Sequence, residues 1–277
     1  MSHAGLAHRR PQSLALRWWL ALMVAAVFSG AAQAQAQAQA CTRLIATGNP
    51  EYPPFLWREG ADSARLIGAN ADLMQMLAKE IGLPIEVRYV GTWARVQEEA
   101  RQGRVDLIAG AFFTLPRLDY MDYVYPAFQV TRSLVWSRTS TELNHQRWSD
   151  LQGKSGLTVI NNSFGEAFDR YAKASLKIST VPSLEQALRM LERGRADYLV
   201  YEEAPAQAYI ARLGIQGVTP AEAAISNEGL YLTLSHQSPC NTAAVRARLA
   251  KAMYQFERQN VMKKLLETNV QVWRAMK

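Results

Sequence analysis

From residue 43 onward, short apolar runs alternate along this chain with stretches whose apolar positions recur at helical spacing, near 3.6 residues. Between residues 70 and 81, Leu73, Met74, Leu77, Ala78 and Ile81 fall on one helical face. Gly82 stops that helix and Pro84 lies just beyond. Short apolar runs at 43–47, 85–90 and 105–109 read as strands, and residues 93–102 read as a helix ended by Gly103. The same order returns later. Strands are predicted at 156–160, 177–181 and 197–201, with helices at 163–174 and 183–193 and a further one running to about residue 213. Ser163 with Glu166, and Ser183 with Gln186, have capping-box spacing.

Strands alternating with helices of this length imply right-handed βαβ units and mostly parallel sheets flanked by helices, an α/β fold. The unit strand–helix–strand–helix–strand occurs twice. Each time the last strand is introduced by Gly-Arg-x-Asp, at Gly103 to Asp106 and again at Gly194 to Asp197. Two similar half-chains predict two lobes. A strand at 230–235 and helices at 242–256 and 261–268 are left over, and the simplest topology returns them to the first lobe. The expected organisation is a first lobe of 41–131 plus 230–277 and a second lobe of 132–229, with crossings near 130–135 and 226–231. Ligands of open α/β sheets sit beyond the carboxyl ends of strands. The expected site is therefore the cleft between the lobes.

Residues 1–40 follow a different rule. Arg9, Arg10 and Arg17 precede an apolar run from Trp18 to Phe28, and small residues around Ala36, Ala38 and Ala40 follow. That order is a signal peptide. The run is shorter than the roughly 20 residues needed to span a bilayer. The Ala-Gln repeat after it is low-complexity and adds no core. Export to the periplasm is expected, with a mature chain of about 237 residues. The chain holds 31 basic and 24 acidic residues. The leader removes three basic ones, which leaves a net of +4. So mild an excess, without a Lys/Arg stripe interleaved with aromatics, argues against nucleic acid as a partner.

Candidate chemistry is sparse. The two cysteines, Cys41 and Cys240, are an even pair in an oxidising compartment, which favours a disulfide. A lipidated Cys41 and two free thiols remain open as well. Gly153-Lys154-Ser155 lacks the first glycine of a phosphate loop, because Trp148 stands there. His145 and His236 have no metal-ligand spacing and read as surface residues. No Gly-x-Ser-x-Gly elbow occurs, and neither a metal nor a cofactor is expected.

Several ordered motifs together resemble the family 3 periplasmic solute-binding proteins of the polar amino-acid type. They are Asn49-Pro50-Glu51-Tyr52-Pro53-Pro54-Phe55, the stretch from Leu66 to Leu73, Gly103 to Gly110, Thr114-Leu115-Pro116-Arg117, Tyr125 to Phe128, and Gly194 to Asp197. The resemblance covers most of residues 42–270. It implies a two-lobed (type II) binding protein, monomeric and non-enzymatic, that closes around a small ligand and hands it to the membrane permease of an ABC transporter. Arg117 would hold the ligand's carboxylate through its planar fork of donors. Ser163 and Phe164, expected at a helix start, would add backbone N–H groups from the second lobe. Glu202, or its neighbour Glu203, would face the ligand's amino group. Gly110 lies at the end of a strand beside the expected cleft. Tyr52, Trp93 and Phe112 would form an aromatic wall.

Two positions depart from the family pattern. Asn49 stands where aspartate is common, and Phe112 stands where amino-acid binders carry a small hydroxyl residue. These changes widen the ligand class to aromatic or modified amino acids and other organic anions. Periplasmic cyclohexadienyl dehydratases resemble the same family, so an enzyme on this scaffold, with Glu202 or Glu203 as general acid, is the alternative.

Overall fold

The computed structural model describes residues 1, 41–141, 143 and 145–276. The leader expected at 1–40 therefore lies outside the described residues, apart from Met1.

The strands are β1 (Leu44–Thr47), β2 (Glu51–Tyr52), β3 (Leu56–Arg58), β4 (Leu66–Ile67), β5 (Ile85–Val87), β6 (Leu107–Phe112), β7 (Met121–Arg138), β8 (Ser155–Val159), β9 (Lys177–Val181), β10 (Tyr198–Glu202) and β11 (Val218–Ser235). The helices are α1 (Ala69–Ile81), α2 (Trp93–Arg101), α3 (Leu115–Leu118), α4 (Glu166–Ser175), α5 (Leu184–Glu192), α6 (Glu203–Leu213), α7 (Ala243–Arg258) and α8 (Val261–Ala275).

Eight strands form one sheet in the order β5-β1-β6-β11-β7-β10-β8-β9, and β2, β3 and β4 form a small antiparallel one. The large sheet has two parallel flanks, β5-β1-β6 and β10-β8-β9. Between them β7 and β11 run antiparallel to each other and to the flanks. Each is 18 residues long. Their register passes through Val130↔Gly229 and Ser133↔Ser226, so the two expected crossings pair side by side. The expected strand at 230–235 is only the end of β11. Residues 218–229 are mostly half-exposed and show no apolar run, so cross-strand hydrogen bonds rather than burial hold them extended.

Helix faces explain the packing. In α1, Leu73, Met74 and Leu77 are fully buried, and Gly82 ends the helix in the left-handed conformation at φ 63°. In α5, Leu184, Ala187, Leu188 and Leu191 are fully buried at spacings of three and four. Ser183 caps that helix by accepting from the Gln186 N–H at 3.1 Å, as expected. One core gathers Trp93, Val96, Val105, Ile108 and Met121; a second gathers Phe164, Phe168, Tyr198, Val200 and Ile225.

Three expectations need correction. The helix predicted from Ser163 begins at Glu166, with Gly165 before it at φ 96°. The capping box is not formed; Ser163 instead donates its hydroxyl to Asp169, and the Phe164 N–H donates to the same carboxylate at 2.9 Å. His145 is not a surface residue: it is 2% exposed, and burial pulls its imidazole below the usual histidine range. His236 is partly exposed, 3.3 Å from Asp122. Cys41 and Cys240 are both disulfide-bonded. Among the described residues, no helix is long and apolar enough to cross a membrane.

Candidate functional site

The carboxyl ends of β6 and β10 and the loops after β1 and β8 converge on one cavity. It is lined by Asn49, Tyr52, Trp93, Gly110, Phe112, Arg117 and Glu202, all predicted site residues. Leu56, Asn70, Asn162 and Leu230 complete much of the wall. The free space among them is small, about 20 Å³, and part of the cavity is open to solvent.

Arg117 sits on the short helix α3, which turns the chain back just after β6. It is 5% exposed. Its Nη1 donates to the Phe112 carbonyl at 2.9 Å and its Nη2 to the Asn161 carbonyl at 3.4 Å. The guanidinium also lies 5.3 Å from the Trp93 ring centre. A guanidinium carries five N–H donors in a plane, more than two carbonyls take up. A buried, permanent cation in this cavity invites an anionic group.

Asn161 is in the left-handed conformation at φ 59°, which turns its carbonyl towards the first flank. That oxygen also accepts from Trp93 Nε1 and Gln97 Nε2, each at 3.1 Å. The flanks are bonded at further points. Leu115 N–H donates to Glu166 at 3.2 Å, Leu184 N–H to Glu51 at 3.1 Å, and Asn49 Nδ2 to the Tyr201 hydroxyl at 3.4 Å.

Glu202 is the last residue of β10 and is 3% exposed. Burial pushes its carboxyl up to about 7, against the opposing pull of its own backbone, Asn162 and Arg117. Asn162 Nδ2 lies 3.4 Å from it. Glu203 turns elsewhere and pairs with Arg132 at 3.1 Å. The cavity thus holds one fixed positive charge and one acid poised near neutrality.

Ser163 and Phe164 are not in this wall. Ser163 lines a neighbouring cavity that shares Arg117 and Asn162 with this one and adds Asp169 and Lys173, and the Phe164 ring is part of the second core. The donors expected there for a ligand are engaged by Asp169, whose carboxyl burial pushes up. Trp57 and Trp136 are core residues at 1% exposure.

Asn70 and Asn162 line the cavity and escaped the sequence reading. Asn162 lies three residues beyond the end of β8, so its place past a strand's carboxyl end was a usable signal. Asn70 reads as an ordinary polar position at a helix start.

A sheet with two parallel flanks, two long strands between them and a polar cavity at the strand ends defines the two-lobed, type II class of periplasmic-binding-protein-like folds. Residues 44–271 match the bacterial extracellular solute-binding proteins, family 3, and the chain belongs to that family. The L-cystine-binding protein TcyA of Bacillus subtilis (strain 168) is 20% identical over 182 residues, which span 66% of this chain and 65% of that protein. The chain thus matches just under two thirds of that relative's length. An ancestral arginine-binding protein bound to arginine superposes with a TM-score of 0.69 at 20% identity, covering 82% of this chain and 97% of that one. A histidine kinase sensor domain with similarity to periplasmic binding proteins gives 0.69 at 18% identity, covering 82% and 96%.

Proposed function

We propose that this chain is exported by its leader and captures a small carboxylate-bearing solute, an amino acid or a derivative of one, for uptake through an ABC-type permease. The lobes are residues 41–131 with 230–277, and residues 132–229. The cleft between them closes on the ligand while β7 and β11 carry the hinge. The single observation behind this reading is the buried Arg117 guanidinium facing the same cavity as the Glu202 carboxyl. Arg117 receives the carboxylate in a bidentate fork. Glu202 receives the amino group, whose positive charge draws its pKa back down and ionises it. Trp93 and Phe112 pack on the carbon skeleton. The binding proteins for L-cystine and for arginine among the relatives and structural neighbours support an amino-acid ligand.

The test is a thermal-shift screen of the mature protein against amino acids, polyamines and organic acids. A ligand at about 100 times its dissociation constant adds about 2.7 kcal/mol of stability. Stabilisation by amino acids or other carboxylates supports the reading; stabilisation only by polyamines overturns it.

A second reading is favoured by one feature, the buried acid poised near 7 in this cavity. Glu202 would then be the general acid of a cyclohexadienyl dehydratase-like enzyme. Chromatography after incubation with prephenate and arogenate separates the two, since a binding protein yields no product.

A further inference from the structure

Asn70 is a polar side chain enclosed in the first half of the molecule, 1% exposed at the start of α1. Its Nδ2 donates to the Ala109 carbonyl on β6 at 2.5 Å. A carbonyl only accepts, so the nitrogen must face β6 and the oxygen is committed to the other direction. That oxygen, Oδ1, is buried and has no hydrogen-bond partner. Buried acceptors are almost always paired, and leaving one unpaired costs free energy. Asn70 is among the residues that line the cavity holding Arg117 and Glu202.

The backbone in front of it is arranged to match. Gly110 has φ 119°, a conformation that L side chains rarely adopt, and a Cβ there would lie 2.9 Å from Asn70 Nδ2. Glycine lets β6 pass close to the amide nitrogen. Asn70 and Arg117 are anchored to the carbonyls of Ala109 and Phe112. These are three residues apart on one strand, roughly 10 Å of extended chain.

We propose that Asn70 is a ligand-contact residue whose buried Oδ1 accepts an N–H from the bound solute. The ligand class this selects carries an anionic group for Arg117 and a separate N–H donor, such as an ammonium, amide or guanidinium, set apart from it. A carboxylate with only carbon at its far end leaves the acceptor unpaired and is rejected. The inference rests on the amino-acid reading above and assigns its specificity to a position outside the aromatic wall.

The experiment is isothermal titration of the mature protein, Asn70→Leu and Asn70→Asp with L-glutamine, L-arginine and L-cystine. Leucine keeps the approximate shape and removes the acceptor. Aspartate keeps the acceptor and, like leucine, removes the amide that ties Ala109. Asn70→Leu is expected to bind the accepted probe at least tenfold more weakly, with Asn70→Asp within threefold of the unsubstituted protein. Equal losses in both variants overturn the proposal, because only the tie to Ala109 would then matter. Binding by Asn70→Leu within twofold also overturns it. If Asn70→Leu does not fold, a crystal structure of the unsubstituted protein with the accepted probe decides: a ligand nitrogen in hydrogen-bond contact with Oδ1 supports the proposal, and a ligand carbon there overturns it. If none of the three binds the unsubstituted protein, the carboxylate that stabilises it in the thermal-shift screen takes their place as probe; stabilisation there only by carboxylates without an N–H donor overturns this inference, and stabilisation only by polyamines overturns the amino-acid reading beneath it.

Discussion

Replacing Glu202 by glutamine tests the electrostatics of the cavity without ligand. The carboxyl is 3% exposed, and burial raises its pKa from 4.5 to about 7. A group whose folded pKa is raised favours the folded state fully below its unfolded pKa, and that advantage fades as pH rises through the folded value. Here the window runs from 4.5 up to about 7. The shift is worth roughly 3 kcal/mol in all, and most of it falls between about pH 5 and pH 8. Glutamine mimics the protonated acid and does not titrate. Urea unfolding of the ligand-free protein, with the disulfide intact, should show the variant gaining roughly 2–3 kcal/mol relative to the parent across that range. Glu51 and Glu228 are also raised and His145 is lowered, but these contribute to both proteins and cancel in the difference; Asp169, whose charge helps to raise Glu202, loses that repulsion in the variant. Parallel stability curves would refute the buried, near-neutral Glu202.

Arg117→Ala should weaken binding of the accepted ligand by about 2–5 kcal/mol by calorimetry, the range for truncating one partner of a buried charge pair; a change under about twofold removes the assignment. Gly110→Ala meets both a left-handed φ of 119° and the Asn70 amide at 2.9 Å. It should lower unfolding stability by about 1–3 kcal/mol and weaken binding as well. Reducing the bonded cysteines should add two daltons to the exported protein by mass spectrometry. It should also cost about 4–5 kcal/mol on chain-entropy grounds, read as a fall in Tm.

Much of this fold was written in local periodicity. Leu73, Met74, Leu77 and Ile81 announce α1, and the Gly-Arg-x-Asp turns mark β6 and β10 because each ends a helix and starts a buried strand. The long middle strands were not legible. Tyr125 and Val130 on β7 are exposed, and residues 218–229 of β11 are mostly half-buried, so neither strand shows the apolar signature of its ends. Their pairing is a tertiary fact. Most of the cavity wall was legible through motif order, which put Arg117 and Glu202 in one place. The helix start expected at Ser163 was misplaced for a local reason. Asp169, six residues beyond Ser163, takes the Ser163 hydroxyl and the Phe164 N–H that a helix start would have left open. Asn70 was invisible because its meaning depends on β6 passing beside it, 39 residues later in the chain.

The central claim is that Arg117 grips the anionic end of a solute inside this cavity. A crystal structure of the mature protein with its bound ligand tests it directly. The account predicts a carboxylate within about 3.2 Å of the guanidinium nitrogens. A ligand seated elsewhere, with Arg117 still bonded only to the carbonyls of Phe112 and Asn161, would contradict it.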